Sequence, residues 1–196
     1  LNLNCNIFRV NNINDIHMFQ NTFLVIDFEF TCWRGRPPRG MFQEILDIGI
    51  SEVDTLKKEV VNTHRIIVKP ENSSVSKFCT KLTSITQEEV DENGVILSEA
   101  VSKINNLYDL KNIQWGSWGK FDRTQMIKEC KKKNIEFPFS ENYKDLQKHF
   151  SKFIKNTRRI YSVENALKKI ELEFEGNPHR ADCDAFNTAI IYINTI

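Results

Sequence analysis

Glycine and proline are scarce in this chain, which has seven and five of them among 196 residues. With 40% hydrophobic and 27% charged residues, the composition excludes a collagen-like, low-complexity or disordered chain and is typical of one globular domain. Because no run of about 18 apolar residues occurs, the sequence predicts no membrane span. The chain also lacks an excess of either sign of charge. Its 27 basic and 26 acidic residues give a net charge of +1, which predicts neither a broad basic surface nor an acidic tail.

The cysteines are five, an odd number, and they are widely spaced without any C-x-x-C pair. This spacing excludes a disulfide framework and a zinc finger and favours a reducing compartment. The N-terminal residues contain no basic segment followed by an apolar one, so we expect a cytoplasmic protein with no membrane partner. Residues 1–21 are polar and rich in asparagine, and we interpret them as an extension outside a folded domain at 22–196.

The strongest element is an almost continuous apolar run over residues 22–28, which predicts a strand buried on both faces in the middle of a sheet. The segments 45–53 and 60–68 predict an antiparallel hairpin, and further strands are expected at 112–117 and 143–146. This order of elements predicts a single α/β domain around a mixed sheet. Helices are expected over residues 76–81, 86–91, 97–108, 122–133, 162–173 and 180–193, with one more after residue 146.

Two acids stand near the end of the most buried strand. Asp27 and Glu29 are two residues apart, so their side chains lie on the same face of the strand. Adjacent carboxylates at such a position repel each other and lose hydration unless a cation lies between them. The alternative is an ordinary pair of solvated acids, because the D-x-E pattern is common by chance.

Three further residues carry potential chemistry. His179 and Asp184 form an H-x-x-x-x-D pattern at the start of the last predicted helix, where acids also favour the helix dipole without any other function. Asp122 follows the fourth predicted strand, and its simplest alternative role is an N-cap. Taken together, four carboxylates at strand ends or helix starts and one loop histidine are the groups that two hard divalent cations and a general base require.

Three motifs in the sequence resemble those of the DEDDh 3′→5′ exonucleases, a superfamily with the ribonuclease H-like fold: DFEFTCW from Asp27, the pair Phe121-Asp122, and HRADCDAFNTA from His179. The stretches FQEILDIG at 42–49 and FCTKLTSITQ at 78–87 resemble one branch more narrowly. That branch contains the histone-mRNA 3′ exonuclease, the ERI-type exonucleases and bacterial proteins described as inhibitors of a sporulation-kinase pathway. The resemblance covers residues 22–194 and implies a mixed five-stranded sheet flanked by helices.

The resemblance also implies a two-metal site. Asp27, Glu29 and Asp184 would hold the first divalent ion, and Asp27 would bridge to a second ion held by Asp122. His179 would be the general base that takes a proton from the attacking water. Ligands that are all oxygen atoms favour Mg²⁺ or Mn²⁺ over zinc. The implied reaction is hydrolysis of single-stranded RNA or DNA from the 3′ end, with RNA preferred, releasing nucleoside 5′-monophosphates.

Substrate contacts follow from the same resemblance. Leu82 and Thr83 match the stretch that meets the terminal nucleotide, although Leu82 could equally be an ordinary core leucine. The cations near the first motif could hold phosphates, with a solvated loop as the alternative for each of them. Trp33 could stack on a base. The other expected substrate contacts are Phe28, Phe30 and Thr31 in the matching stretch and Arg34, Arg36 and Arg39 in the loop.

The chain departs from the family pattern at two positions of the third motif. Cys183 stands where relatives commonly carry the first of two consecutive acids, and Phe186 stands where an arginine is often found. Because the second acid is retained as Asp184, the ligand set is complete, while substrate contacts near this helix are altered. The alternative functions are a regulatory protein that keeps the fold and binds an unidentified protein partner, and an endonuclease of the same fold.

Overall fold

A mixed sheet forms the centre of the computed structural model, which describes residues 21–155 and 159–196. Its strands are β1 (Thr22–Phe30), β2 (Ile45–Asp54), β3 (Glu59–Ile67), β4 (Gln114–Ser117) and β5 (Tyr143–Asp145). Their spatial order is β3-β2-β1-β4-β5, so β1 is the middle strand, as its apolar sequence predicts. β1 is antiparallel to β2 and parallel to β4, β5 is parallel to β4, and β2 and β3 form the predicted antiparallel hairpin.

The described residues also form seven helices, and several begin where a capping side chain predicts. Ser76 accepts a hydrogen bond from the backbone of the first helix, Thr86 accepts one from Glu89 N–H at 3.0 Å, and Ser162 caps the sixth helix. None of these helices is long and apolar enough to cross a membrane. The helices are α1 (Lys77–Thr83), α2 (Gln87–Asn93), α3 (Leu97–Leu107), α4 (Phe121–Lys133), α5 (Leu146–Phe153), α6 (Val163–Lys169) and α7 (Ala181–Ile193).

The two faces of β1 are packed by different helices. On one face, the side chains of α3 and α4 pack in the largest apolar cluster against Leu24, Ile26, Phe28 and Phe30. Phe23 and Val25 point to the opposite face, where they contact Ala189 and Tyr192 of α7. Asp27 and Glu29 continue this second face, since side chains alternate along a strand. The sequence of β1 therefore directs two carboxylates toward the helix that carries the third motif.

Close packing brings the start of α7 against β2. A Cβ atom added to Gly49 would lie 1.8 Å from the carbonyl oxygen of Ala181, so only glycine allows this approach. Ala181, Ala185 and Ala189 are fully buried on the same side of α7, and their small side chains keep the helix near the sheet. Because Gly49 is paired with Asp27 across the two strands, this contact lies directly beside the acids of β1.

One expectation from the sequence differs from the structure, and another lies almost entirely outside the described residues. The helix predicted over 162–173 ends at Lys169, because Glu171 adopts a left-handed backbone conformation with φ of 61°. Ile170 and Leu172 still pack on the neighbouring apolar cluster, so the helix-like spacing of apolar residues belongs partly to an irregular segment. The expected N-terminal extension at 1–21 lies outside the described residues except for Asn21.

Candidate active site

The carboxylates of β1 meet an acid from α7. Asp27 and Glu29 lie at the end of β1, and Asp184 lies in the first turn of α7. Ligand oxygens of these three residues all lie within 4.8 Å of one another, a separation that one cation could bridge. One oxygen of Asp184, Oδ2, is buried without a hydrogen-bond partner in the described part of the chain. An orphaned buried oxygen aimed into an acidic cluster fits a site for a cation.

Asp122 approaches this trio from α4. It is the second residue of α4 and is 6% exposed, and the N-cap position is occupied by Lys120, so the alternative reading of Asp122 as an N-cap is wrong. Its carboxylate accepts a hydrogen bond from the backbone of Phe28 and lies beside the Ser117 hydroxyl, which places it next to β1 and β4. We call Asp27, Glu29, Asp122 and Asp184 the acid cluster.

Mutual repulsion within the acid cluster is visible in its pKa values. Burial raises the pKa of Asp27 well above its usual value, and the charges of Asp122, Asp184 and Glu29 raise it further. Burial and the neighbouring acids raise the pKa of Glu29 to about 8. Each carboxylate therefore disfavours the ionised form of the others while no cation is bound.

At the two remaining acids, backbone donors oppose the effect of burial. Burial raises the pKa of Asp122 to about 7, although hydrogen bonds from its own backbone N–H and from that of Phe28 act against the shift. Burial likewise raises the pKa of Asp184 to about 6, against hydrogen bonds from the backbone of His179 and Arg180. All four acids of the cluster thus hold protons more tightly than exposed carboxylates do.

His179 lies at the edge of the acid cluster. It is exposed on the loop before α7, and its φ of 63° gives the chain a sharp turn there. Its backbone N–H donates to Asp184, and its imidazole also lowers the pKa of that carboxyl, so the ring is close to the cluster. The structure therefore brings the predicted histidine and the four predicted acids to one place.

A cleft next to α1 contains two of the predicted substrate contacts, Leu82 and Arg34. Leu82 is 39% exposed, so the alternative of a core leucine is wrong. It lines a cleft of about 540 Å³ together with Phe78, Lys81 and Arg34. Phe78 and Leu82 are four residues apart and so share one face of α1. The cleft therefore combines an apolar wall with two cationic side chains.

Other predicted substrate residues lie deeper in the fold. Phe28 and Phe30 are 4% and 8% exposed, within the main apolar cluster. Thr31 is fully buried and its hydroxyl hydrogen-bonds to Glu44 N–H at 3.0 Å, while the Thr83 hydroxyl donates to the carbonyl of Cys79. The side chains of all four are therefore engaged in the fold. Trp33 is half-buried, and the exposed loop residues are Arg34, Arg36 and Arg39.

The sequence motifs include two residues that border the acid cluster but were assigned no role at the site. Asp47 is fully buried in β2, is paired with Glu29 across the strands and raises the pKa of that residue. An acid inside the apolar run ILDIGI is itself an indication of a special environment. Phe121 is 54% exposed beside Asp122, and its ring meets Phe30 edge to face at 5.3 Å.

Comparison with known proteins decides the family. A model of the exonuclease family, RNase_T, matches residues 24–192. The chain belongs to this exonuclease family. This exonuclease is 32% identical to the probable 3'-5' exonuclease KapD of Bacillus subtilis over 170 residues, which cover 86% of the chain and 81% of KapD. It is 27% identical to the 3'-5' exoribonuclease 1 of Homo sapiens, over 88% of the chain but only 51% of that protein.

A solved structure supports the same assignment at the level of the fold. The nuclease domain of 3'hExo, a DEDDh family member bound to rAMP, matches the exonuclease with a TM-score of 0.81 and 27% identity. The match covers 89% of this chain and 90% of that domain. The predicted ribonuclease H-like fold and the DEDDh, ERI-type branch are thereby confirmed, and with them a 3′→5′ exonuclease.

Proposed function

We propose that the exonuclease hydrolyses single-stranded RNA or DNA stepwise from the 3′ end, with RNA preferred, and releases nucleoside 5′-monophosphates. The observation that carries this proposal is the acid cluster, in which three carboxylates lie within 4.8 Å of one another and a fourth faces them. Among the described residues, no lysine or arginine forms an ion pair with any of the four. Such a site requires positive charge from solution.

The donor set of the acid cluster fits two divalent cations. Asp27, Glu29 and Asp184 would hold one ion, and Asp27 with Asp122 would hold the other. Carboxylate oxygens without sulfur or imidazole ligands select Mg²⁺ or Mn²⁺. When bound, such a pair of ions activates the attacking water and stabilises the negative charge on the leaving 3′ oxygen.

His179 is the proposed general base. Its backbone N–H is hydrogen-bonded to Asp184, which ties the position of the histidine to a residue of the acid cluster. The imidazole remains exposed on its loop, so it can accept a proton from water beside the scissile phosphate and release that proton to solvent. A positioned general base of this kind contributes about 10²- to 10⁴-fold in rate.

The cleft beside α1 is the proposed place for the terminal nucleotide. Leu82 and Phe78 offer an apolar surface to a base, and Arg34 and Lys81 offer positive charge to phosphates. Since the side chains of Thr31 and Thr83 are buried, these two residues would contribute through their backbone. The preference for RNA is supported by the name of the human relative, 3'-5' exoribonuclease 1, and by the rAMP bound to 3'hExo.

The alternative of a regulatory protein that only binds a partner is not favoured. The relatives that match most of this chain are named exonucleases or exoribonucleases. A binding protein would also retain the repulsion among four partly or fully buried carboxylates without any use for them.

A digestion series tests the proposal. A 5′-labelled single strand, a 3′-recessed duplex and a circular strand are incubated with Mg²⁺, Mn²⁺ or EDTA, as RNA and as DNA. We expect stepwise shortening of the linear strands from the 3′ end that stops in EDTA, in Asp27→Asn and in His179→Ala. Asp91→Asn, which alters an exposed acid of α2, is the matched control and should retain activity. Inert wild-type protein under every condition would refute the proposal, and cleavage of the circle would indicate an endonuclease.

A further inference from the structure

A second groove opens along α4, the helix that carries Asp122 of the acid cluster. It has a volume of about 200 Å³ and lies between α4 and the segment 42–43 that precedes β2. Gln125 donates a hydrogen bond to Gln43 across it at 3.0 Å, which holds its two walls together. Its other lining side chains include Phe30, Phe42, Lys128 and Lys132.

One face of α4 leads from the acid cluster along this groove. Phe121, Gln125, Lys128 and Lys132 are spaced at i, i+4, i+7 and i+11, which places them in one line on the helix. At 1.5 Å per residue the line is roughly 16 Å long. Its first member, Phe121, precedes Asp122 directly in the sequence. The line therefore begins at the acid cluster and continues away from it.

The lysines of this line differ from their neighbour Lys133. Lys133 is buried against acids, with its ammonium 3.1 Å from Glu44. Lys128 and Lys132 are exposed, and no carboxylate of the described residues pairs with either one. The Lys132 ammonium lies instead over the ring of Phe42. These two charges are not neutralised by a carboxylate of the described residues and remain available to an anion.

The acid in the floor of the groove does not cancel these charges. Glu129 is 6% exposed, and its Oε2 accepts a hydrogen bond from Ile45 N–H at 2.8 Å. Its other oxygen lies 3.8 Å from the Lys133 ammonium, and burial raises its pKa to about 7, so the groove meets less than a full negative charge there. The surface that an incoming molecule meets therefore consists of aromatic rings, amides and two lysines.

We propose that this groove binds the part of the single-stranded nucleic acid that lies 5′ of the terminal nucleotide. The exposed ring of Phe121 would stack on a base next to the scissile phosphate, and Lys128 and Lys132 would contact successive phosphates. Charge complementarity and continuity with the acid cluster select a polyanionic strand as the occupant. The inference rests on the proposed function, and it adds a strand-binding surface distinct from the cleft at Leu82.

The test compares substrates of two lengths. KM is measured for a dinucleotide and for a single strand of about twelve nucleotides, in wild type and in Lys128→Gln/Lys132→Gln. We expect the ratio of the dinucleotide KM to the long-strand KM to fall about tenfold in the variant. The slope of the logarithm of the long-strand binding constant against the logarithm of salt concentration should become less steep by about two. Both lysines are exposed, so the substitutions leave the core intact.

The matched control removes the same charge at the opposite end of the sheet. Lys57→Gln/Lys58→Gln alters the turn between β2 and β3, and the length dependence should stay as in wild type. The inference would be overturned if both double variants lost the length dependence of KM equally, or if the α4 variant kept it unchanged. Fluorescence anisotropy of the long strand without metal separates it from the proposed function: binding that depends on Lys128 and Lys132 in a protein without nuclease activity would support the groove alone.

Discussion

Two groups of partly or fully buried carboxylates lie side by side at the same end of β1 and β2, and they differ in whether the protein supplies them with a cation. The first is the acid cluster. The second, which we call the paired acids, consists of Glu44, Asp47 and Glu129. Each paired acid has a cation of the protein beside it: Lys133 lies 3.1 Å from Glu44 and 3.8 Å from Glu129, and Arg65 lies 2.8 Å from Asp47. The acid cluster has no such partner among the described residues.

Glu44 and Asp27 show the difference most clearly, because burial still raises the pKa of Asp47 to about 6 and that of Glu129 to about 7 in spite of their cations. Burial alone would raise the pKa of Glu44, but hydrogen bonds from Lys133, Asn72 and the backbone of Glu71 more than offset it, and its pKa lies below the usual value. For Asp27, burial and every neighbouring charge act in the same direction and raise the pKa. A buried acid that supports the fold is thus supplied with a cation, whereas the acid cluster is left for a cation from solution.

The largest expected effect comes from removing one charge of the acid cluster. Asp27→Asn should lower kcat by about 10³-fold or more, because metal-ion stabilisation is worth several kcal/mol. The same substitution should raise the melting temperature of the metal-free protein at neutral pH, since it relieves repulsion from Asp122, Asp184 and Glu29. Steady-state kinetics and calorimetry measure the two changes. A metal-free protein destabilised by this substitution would contradict our account of the cluster.

The paired acids should respond in the opposite way to the loss of their cation. Lys133→Met leaves Glu44 and Glu129 buried without a counter-charge, and we expect the free energy of unfolding to fall by about 3 kcal/mol. Lys131→Met changes an exposed residue of the same helix turn and should stay within about 0.5 kcal/mol of wild type. Urea denaturation of the three proteins measures this, and equal stability of both variants would remove the distinction between the two groups.

A smaller effect is expected from pH. Because the pKa of Glu29 is raised from 4.5 to about 8, the folded metal-free protein holds a proton that the unfolded chain has lost. The stability contributed by this proton is present below about pH 4.5 and is lost as the pH rises to about 8. Metal-free stability should therefore decline across this range, and the decline should be smaller in Glu29→Gln, where Asp27, Asp122 and Asp184 still contribute to it. A pH series of melting temperatures in EDTA measures the decline, and identical curves would argue against a strained cluster.

Much of this architecture could be predicted from the sequence because it follows local patterns. The apolar run of β1 predicted the central strand, and the alternation within it predicted that Asp27 and Glu29 share a face. The partners of the paired acids could not be predicted in this way, because Glu44 and Lys133 are 89 residues apart in the chain. The exposure of Leu82 also depends on how α1 is placed, and no periodicity in a helix of seven residues determines this.

Metal-dependent stabilisation tests the central claim most directly. The melting temperatures of wild type and Asp184→Asn are measured at neutral pH while Mg²⁺ or Mn²⁺ is added. A ligand at about 100 times its Kd stabilises a folded protein by about 2.7 kcal/mol, or roughly 5–10 °C for a chain of this size. We predict a rise of this order in wild type that is lost in Asp184→Asn. An equal rise in both proteins, or none in wild type, would contradict the assignment of the acid cluster as a metal site.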